Sequence, residues 1–488
     1  MLLTAAERFP QVFDTADFPR NAGAFKREYG AHLARFEAAR VGAPERLEIA
    51  RSIVRDAQSA LEFADHGRRI PLSEHFAETP AEVALETRKL GEAPGLRLDV
   101  PFEGKRYRGS EVRQLIELLT EQQQITFRAR DALRFMVDYI EQQGGVLDLR
   151  GHSFALLGAG AELAPTRLLL AAGARVLWVD LADPAPWLSR NDARNGQDDL
   201  SGTLFQAPGA SHLLENPAVV AQAIRRFASE NGPLHLGMFA YAPGASQEWR
   251  LGAAMNAIAS QLDPSSVRSV SLLVSPTSAV TLQPECVEAA RAQLANAPRW
   301  KSALCLTGAL RAPGHYSAGD EHVALATVSV QGLSYQAAQY ISKVLAAEGY
   351  AVCGLDPRNA RREPLTVSAN VAGITRTRSM AHPIFQAAFA GASSFGVRIF
   401  DPETTRALSG LLILHDLLNP TAPGAAAVQP ADPRLKASAL HSQQVHGGLY
   451  NLAYVLENAI RVAALIGMGR DPSVLVRRRA SAPEAPAA

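Results

Sequence analysis

From residue 151 to about residue 400, short apolar runs alternate with stretches of helical periodicity. The runs read FALLG, ARVLWVD, LHLGMFAYAPG, VRSVSLLVSP, SALCLTGAL, YAVCGLD and LTVSANVAG. Because they lack polar alternation, each is predicted to be a strand buried on both faces, as the strands of a parallel sheet are. The pattern therefore predicts an α/β fold with a doubly wound parallel sheet covered by helices.

The segments on either side of this region are predicted to be helical additions. Residues 1–150 carry amphipathic patterns such as LEIARSIVRDAQSALEFADH, with one predicted hairpin at LRLDVPFEGKRYR. Helical patterns return after Asp401, on both sides of the Pro/Ala-rich segment TAPGAAAVQPADP. The predicted organisation is a helix-rich region 1–150, an α/β domain 151–400, a helical region 401–475 and a disordered tail 476–488.

Charge and cysteine content exclude several classes of partner. The chain has 49 basic and 48 acidic side chains, too even a balance to attract a nucleic acid or a membrane surface. Cys286, Cys305 and Cys353 are too widely spaced for a disulfide framework or a metal-binding pair. The N-terminus lacks the apolar core of a signal peptide, and no run reaches the roughly 18 residues of a membrane span. We therefore expect a cytoplasmic protein that acts on a small molecule and holds no metal.

The segment FALLGAGAELAPTRLLLAAGARVLWVD, residues 154–180, predicts a strand, a glycine turn, a helix and a second strand. Gly158, Ala159 and Gly160 form the turn, where missing Cβ atoms let backbone amides approach a phosphate. Asp180 lies 22 residues after Gly158, where a carboxylate can accept hydrogen bonds from a ribose diol. These features predict a Rossmann-type dinucleotide site. NAD is favoured over NADP because Asp180 repels a 2′-phosphate.

Three residues depart from the dinucleotide pattern. Leu163 stands at the place of the third glycine, Glu162 adds a negative charge, and Pro165 lies in the first helical turn. Proline is compatible with an early helical position, and Glu162 is compatible with a phosphate only if it faces away from it. Two alternatives stay open. The same turn and acid suit S-adenosylmethionine in a methyltransferase, or the turn belongs to a non-catalytic protein that binds a nucleotide or a partner.

Two later strand ends are expected at the same edge of the sheet, where ligands of open α/β folds bind. MFAYAPGAS contributes Tyr241 and Gly244, and LLVSPTSAV contributes Ser275. Small and hydroxyl-bearing residues there suit a nicotinamide ribose or a substrate oxygen. The alternative is ordinary turn chemistry.

The segment GLSYQAAQYISKVLAAEGYAVCGLDPRNARREPLTVSANVAGITRTRSM combines a helix pattern carrying two tyrosines and a lysine with a strand and a turn. The turn has the form Asn370-x-x-Gly373 and is followed by Thr375. In order and pattern, residues 151–380 resemble the short-chain dehydrogenase/reductase superfamily. The resemblance implies that Asn370, Gly373 and Thr375 belong to the cofactor-side loop.

The same resemblance implies a catalytic role for residues of this helix. In that superfamily a tyrosine and a lysine four positions on share a helix face, and the lysine lowers the tyrosine pKa so that the phenol exchanges a proton with the substrate oxygen. Here Gln339 follows Tyr335 by four positions, whereas Lys343 follows Tyr335 by eight and Tyr340 by three. Enoyl reductases of the superfamily also have a wider spacing. The catalytic residues that the resemblance implies are Tyr335 or Tyr340 with Lys343, and Ser275 is predicted to join them from the end of its strand. The alternative is half-buried aromatic residues beside a solvated lysine.

Together these patterns predict an NAD(P)-dependent oxidoreductase. It is expected to transfer a hydride between the cofactor and a carbonyl or activated alkene of a small organic molecule. The apolar faces of the C-terminal helices require burial, so these helices are predicted to roof the cavity or to form the interface of a homo-oligomer.

Overall fold

The computed structural model describes residues 1–65, 67–77, 82–92, 95–189, 200–242, 247–356, 365–424 and 440–471. Its strands are β1 Glu62–Asp65, β2 Arg68–Pro71, β3 Glu86–Lys89, β4 Asp99–Phe102, β5 Lys105–Arg108, β6 Ser153–Leu157, β7 Arg175–Val179, β8 Thr203–Gln206, β9 Leu234–Met238, β10 Val267–Val274, β11 His315–Ala318, β12 Glu321–Ala324 and β13 Thr366–Val371.

The α-helices in the same ranges are α1 Leu2–Arg8, α2 Ala22–Val41, α3 Arg46–Ser59, α4 Leu72–Ala77, α5 Val112–Glu121, α6 Phe127–Gln142, α7 Thr166–Ala171, α8 Pro184–Ser189, α9 Pro217–Asn231, α10 Gln247–Ala259, α11 Pro284–Ala295, α12 Arg299–Leu306, α13 Gly332–Gln339, α14 Ala346–Cys353, α15 Pro383–Gly391, α16 Pro402–Leu418 and α17 Leu456–Arg470. A π-helical segment, Tyr340–Leu345, joins α13 to α14 without interruption.

The centre of the molecule is a seven-stranded sheet in the order β13-β10-β9-β6-β7-β8-β3. All neighbouring strands are parallel except β3, which is antiparallel to β8. If the parallel strands are numbered one to six along the chain, their order from β8 to β13 is 3-2-1-4-5-6. The predicted α/β class is confirmed. The sheet is mixed rather than wholly parallel, because β3 enters it from the N-terminal region that was predicted to be helical.

Helices cover both faces of the sheet. In β6, Ala155 and Leu157 belong to the apolar core formed with α2, α3, α9 and α10, whereas Phe154 and Leu156 belong to the core formed with α5, α6, α7 and α16. Because successive strand residues point to opposite faces, a strand between two helical layers is apolar throughout. This explains the continuous apolar runs in the sequence. The predicted hairpin at residues 97–108 is also confirmed, as β4 and β5.

Two predicted strands are helices. SALCLTGAL forms most of α12 and the turn after it, and YAVCGLD forms the end of α14 and the turn after it. A short apolar run does not by itself separate a strand from a helix. The helix α14 is buried on nearly all of its described sides, whereas α12 has no buried residue. The last predicted helix also begins later than expected, at Leu456, because Gly447 and Gly448 adopt φ of 59° and 83° and interrupt any helix before it.

Candidate functional site

A cavity of about 690 Å³ lies at the carboxyl ends of β6, β7, β9, β10 and β13, with α15 and α17 over it. This volume is within the range of small-molecule sites, about 300–1,000 Å³. The helix after β6, α7, packs on one face of the sheet, and the helix after β9, α10, packs on the other. The cavity therefore occupies the crevice where the strand order reverses, which is where open α/β sheets bind ligands.

The glycine turn after β6 forms one end of the cavity. Gly158 has φ of 86°, and a Cβ there would lie 2.3 Å from the Ala240 nitrogen, so only glycine fits. The Gly158 amide donates to the Val179 carbonyl at 2.8 Å, and the Ala159 amide points to the same oxygen at 3.4 Å. Ala159 is fully buried. These two amides are therefore turned away from the cavity, contrary to the expectation that they approach a phosphate.

Donors for an anion lie further along the turn. Both Glu162 and Leu163 line the cavity. Among the described residues, no acceptor receives a hydrogen bond from their backbone amides. The helix that was expected to direct its dipole at the pyrophosphate, α7, has only 6 residues and begins at Thr166. The anion-binding potential of the turn therefore rests on free amides rather than on a long helix.

Asp180 lies beside this turn. Its Oδ2 accepts a hydrogen bond from the Gly160 amide at 2.9 Å, and its Oδ1 accepts from the Ala182 amide at 2.9 Å. A carboxylate offers about four acceptor positions, so about two remain for a ribose diol. A Cβ at Gly160 would lie 3.3 Å from Asp180 Oδ2, which crowds the carboxylate. Gly160 thus positions Asp180 as well as forming the turn.

Glu162, the acidic departure from the dinucleotide pattern, is tied to the loop after β13. Its Oε2 accepts a hydrogen bond from the Arg378 amide at 3.0 Å, and its Oε1 lies 3.8 Å from Arg378 Nε. The carboxylate is thus directed to a neighbouring cation although the residue lines the cavity. This arrangement reduces its repulsion of a phosphate.

Three of the predicted catalytic residues line the cavity together: Ser275 directly after β10, Tyr335 in α13, and Lys343 in the π-helical segment. Ser275 Oγ and Thr277 Oγ1 are 2.8 Å apart, and Thr277 Oγ1 donates to Gln331 Oε1 at 2.9 Å. The side chains of Ser275 and Thr277 also hydrogen-bond to the Tyr335 phenol, which partly lowers its pKa. The site thus combines hydroxyl groups, a phenol and an ammonium group.

The π-helical segment explains why a spacing of eight residues works here. Two α-helical turns contain about seven residues, so eight residues in a regular α-helix would rotate Lys343 away from Tyr335. A π turn holds about one residue more than an α turn, and single π turns are frequent at functional sites. The segment Tyr340–Leu345 therefore returns Lys343 to the side of the helix that carries Tyr335.

Burial dominates the electrostatics of this group. It raises the pKa of the Tyr335 phenol, the Glu248 carboxylate raises that pKa further, and the hydrogen bonding to Ser275 lowers it only in part. Burial also lowers the pKa of the Lys343 ammonium, against the attraction of Glu248. The surroundings of Tyr335 thus raise its pKa, whereas the resemblance implies a lowered one. Tyr335 holds its proton at neutral pH.

Two residues that were not predicted to belong to the site, Gln339 and Glu248, connect it to α10. Gln339 Oε1 accepts a hydrogen bond from the Ser275 amide at 3.0 Å, and Gln339 Nε2 donates to Glu248 Oε1 at 3.1 Å. Glu248 Oε2 accepts from the Ala242 amide at 3.3 Å. Gln339 stands where the resemblance leads one to expect lysine, and its neutral amide holds Ser275 in place instead. The signal in the sequence that could have placed Gln339 at the site is its position four residues after Tyr335, on the same helix face.

Tyr340 and Asn370 do not reach the cavity. The Tyr340 hydroxyl donates to Glu37 Oε2 at 2.6 Å, because five residues after Tyr335 the helix presents its opposite side to α2. Asn370 Nδ2 donates to Asp416 Oδ2 at 3.0 Å, because this position of β13 faces α16 rather than the open edge. Both predicted placements are therefore wrong.

The remaining predicted residues are mostly at the cavity. The cavity is lined by Tyr241, Gly373 and Thr375. Burial raises the pKa of the Tyr241 phenol, and a hydrogen bond with Ser379 lowers it in part. The Thr375 hydroxyl is already engaged by the Gly373 carbonyl at 2.8 Å and by Thr405 Oγ1 at 2.7 Å, so it positions the loop. Gly244 lies outside the described residues.

Comparison with known proteins adds no family to this description. No protein-family model matches the chain, and no curated protein matches it. Among the described residues, no group of three or more His, Cys, Asp and Glu side chains is arranged to hold a metal ion. Within the same part of the chain, no helix has the length and apolarity needed to span a membrane.

Proposed function

We propose that the protein is an NAD(P)-dependent oxidoreductase that acts on a carbonyl or an activated alkene. The observation that carries the proposal is that Ser275, Tyr335 and Lys343 line one cavity with the glycine turn and Asp180. The strand order 3-2-1-4-5-6 supports it, since this is the order of doubly wound dinucleotide-binding sheets. So does the resemblance of residues 151–380 to short-chain dehydrogenases/reductases.

The residues at the glycine turn fit a dinucleotide. The two free acceptor positions of Asp180 suit the hydroxyls of an adenosine ribose, and its charge disfavours a 2′-phosphate, so NAD is preferred over NADP. The amides of Glu162 and Leu163 suit a pyrophosphate. The cavity then extends along the edge of the sheet to Ser275, which leaves the nicotinamide end close to Tyr335.

The residues near Ser275 are suited to act on a substrate oxygen. Tyr335 carries its proton at neutral pH and can donate it to a carbonyl oxygen as that oxygen gains charge. Ser275 and Thr277 hydrogen-bond to the phenol and orient it, and the Lys343 ammonium stabilises negative charge in a poorly solvated site. The bound cofactor supplies or accepts the hydride. In the oxidation direction the same phenol receives the proton.

The electrostatics favour chemistry over the non-catalytic alternative. Burial of the ammonium of Lys343 and of the carboxylate of Glu248 costs stability, as their shifted pKa values indicate. Perturbed titratable groups that converge on a cavity are typical of catalytic sites.

The test of the proposed function is a melting-temperature titration of the purified protein with NADH, NADPH and S-adenosylmethionine. A ligand at one hundred times its dissociation constant stabilises the folded state by about 2.7 kcal/mol, which is readily seen as a shift. We expect a shift with NADH, a smaller one with NADPH and none with S-adenosylmethionine. A shift with S-adenosylmethionine alone would move the protein to the methyltransferases.

A further inference from the structure

The cavity has two chemically different walls. The polar wall consists of Ser275, Thr277, Gln331, Tyr335, Gln339 and Lys343. A second part of the lining, here called the apolar wall, is formed by the lining residues between 385 and 463, which come from α15, α17 and the segments near them. Every described lining residue in that range is apolar, including Phe385, Phe389, Leu456 and Ile460.

The apolar wall has no group that could bind a charged substrate. Among the described residues that line the cavity, the Lys and Arg side chains are Lys343 on the polar wall and Arg378. The Arg378 side chain is 78% exposed and lies beside Glu162, so it is directed outward. A carboxylate or phosphate on the substrate would thus be desolvated against the apolar wall without a partner, which is costly.

Two glycines fix the position of this wall. A Cβ at Gly391 of α15 would lie 1.9 Å from the Ala463 carbonyl oxygen, and one at Gly467 of α17 would lie 1.9 Å from the Ala387 carbonyl oxygen. The backbones of α15 and α17 are therefore in direct contact. With the helices fixed, the width of the chamber depends on its small side chains, such as Ala388 and Ala459.

An apolar chamber of this kind favours an apolar occupant. Apolar cavities are poorly hydrated, and a ligand that fills one gains contacts that water cannot provide. The nicotinamide end of a cofactor is polar and is accounted for by the polar wall. The apolar wall remains for the part of the substrate attached to the reacting carbon.

We propose that the apolar wall binds an aliphatic chain, so that the substrate is a medium- or long-chain aliphatic carbonyl compound rather than a small hydroxy acid or a sugar. This inference rests on the proposed function, in which Tyr335 and Lys343 act on the carbonyl oxygen. The reaction is the reduction of the ketone or aldehyde to an alcohol, with a hydride from NADH to carbon and a proton from Tyr335 to oxygen, or its reverse.

The test is the affinity of the protein for 2-butanone, 2-hexanone, 2-octanone and 2-decanone, measured by calorimetry with and without saturating NAD⁺, which has no hydride to give to a ketone. Burial of a methylene is worth about 0.8 kcal/mol, so each added methylene should tighten binding by about fourfold until the chamber is full. An affinity that does not depend on chain length would overturn the proposal.

Two variants of α17 assign the effect to the apolar wall. Ala459→Phe should fill the chamber and weaken binding of 2-decanone by at least tenfold relative to 2-butanone, whereas Leu465→Phe, at a position 65% exposed on the same helix, should change neither. If Ala459→Phe does not fold, Ile460→Ala replaces it and should weaken 2-decanone binding more than 2-butanone binding. Equal effects on both ketones would count against the apolar wall.

NADH fluorescence of the same protein, titrated without ketone, separates this inference from the proposed function. If NADH binds and the ketone affinities are flat, the chain-binding proposal is wrong and the oxidoreductase proposal stands. If NADH does not bind and the ketones still show the chain-length dependence, the oxidoreductase proposal is wrong and the chamber binds aliphatic chains in another role.

Discussion

Tyr335 and Tyr340 show how position on a helix decides what a residue can do. They are five residues apart in one continuous helical stretch, and burial raises the pKa of both phenols. Tyr335 lines the cavity beside Ser275, whereas the Tyr340 hydroxyl donates its hydrogen bond to the buried Glu37 carboxylate. Of these two tyrosines, only Tyr335 can exchange a proton with a ligand in the cavity.

We therefore predict different results for the same substitution at the two sites. Tyr335→Phe should lower turnover by about 10²–10⁴-fold, because the proton donor is lost, while NADH affinity changes little. Tyr340→Phe is the matched control and should keep turnover within a few-fold. It should lower the free energy of unfolding by about 1.5–3 kcal/mol, since a buried hydrogen bond to a carboxylate is lost. Steady-state kinetics and urea denaturation measure the two effects, and equal turnover in both variants would remove Tyr335 from the mechanism.

The lowered pKa of Lys343 predicts the alkaline side of the pH profile for carbonyl reduction. Its charge is lost as pH rises through a value below the ordinary 10.5 of a lysine, whereas Tyr335 loses its proton above the ordinary 10.0 of a tyrosine. As pH rises, turnover of the native protein should therefore begin to decline at a pH lower than 10.5. Lys343→Arg, which stays charged, should move that fall to higher pH. A fall at the same pH in both proteins would assign it to another group.

At the scale of elements, the sequence predicted what depends on local pattern. The glycine turn and five of the six parallel strands follow from apolar runs, and the position of Ser275 follows from the rule that parallel strands end at one edge. The strand β8 was not predicted, because it has only four residues and is half-buried at both ends. The helical state of α14 was missed because burial on all sides removes amphipathic periodicity. The π turn and the contact between Gln339 and Glu248 depend on tertiary packing, which leaves no local pattern.

The π-helical segment is held by α10, which leads to a prediction about stability. Asn256 Nδ2 donates to the Ser342 carbonyl at 3.1 Å, and Asn256 Oδ1 accepts from the Tyr350 hydroxyl. Asn256→Leu would leave both groups buried without a partner and should lower the free energy of unfolding by about 2–4 kcal/mol. The control Asn296→Leu, at an exposed helix end, should change it by less than about 0.5 kcal/mol. Urea denaturation decides, and similar values for the two variants would contradict this role.

At the scale of the whole molecule, a buried ion cluster joins the N-terminal helices to the α/β core. Arg40 of α2 has no exposed side-chain surface and forms ion pairs with Glu37 at 2.7 Å and with Glu348 of α14 at 2.8 Å. Glu37 also accepts the Tyr340 hydroxyl. The cluster lies behind the helix that carries Tyr335 and Lys343, so the N-terminal region supports the site from outside the cavity.

Removal of Arg40 should therefore be far more costly than removal of an exposed arginine from the same helix. Arg40→Met removes the buried cation that is hydrogen-bonded to both carboxylates, although Arg46 still attracts them, and should lower the free energy of unfolding by about 3–5 kcal/mol. Arg35→Met breaks a partly exposed pair with Asp17 and should cost at most about 1 kcal/mol. Chemical denaturation of both variants checks the difference, and comparable losses would show that the cluster does not join the two parts.

The central claim is that a nicotinamide cofactor binds at the glycine turn, and the most direct measurement is the dissociation constant of NADH for the wild type, Asp180→Ala and Asp183→Ala. Asp180 borders the cavity, whereas the nearby Asp183 is exposed and accepts a hydrogen bond from the Ala185 amide. We predict that the wild type binds NADH, that Asp180→Ala binds it at least about tenfold more weakly, and that Asp183→Ala is unchanged. No binding by the wild type, or an equal loss in both variants, would contradict the assignment of this cavity to a nicotinamide cofactor.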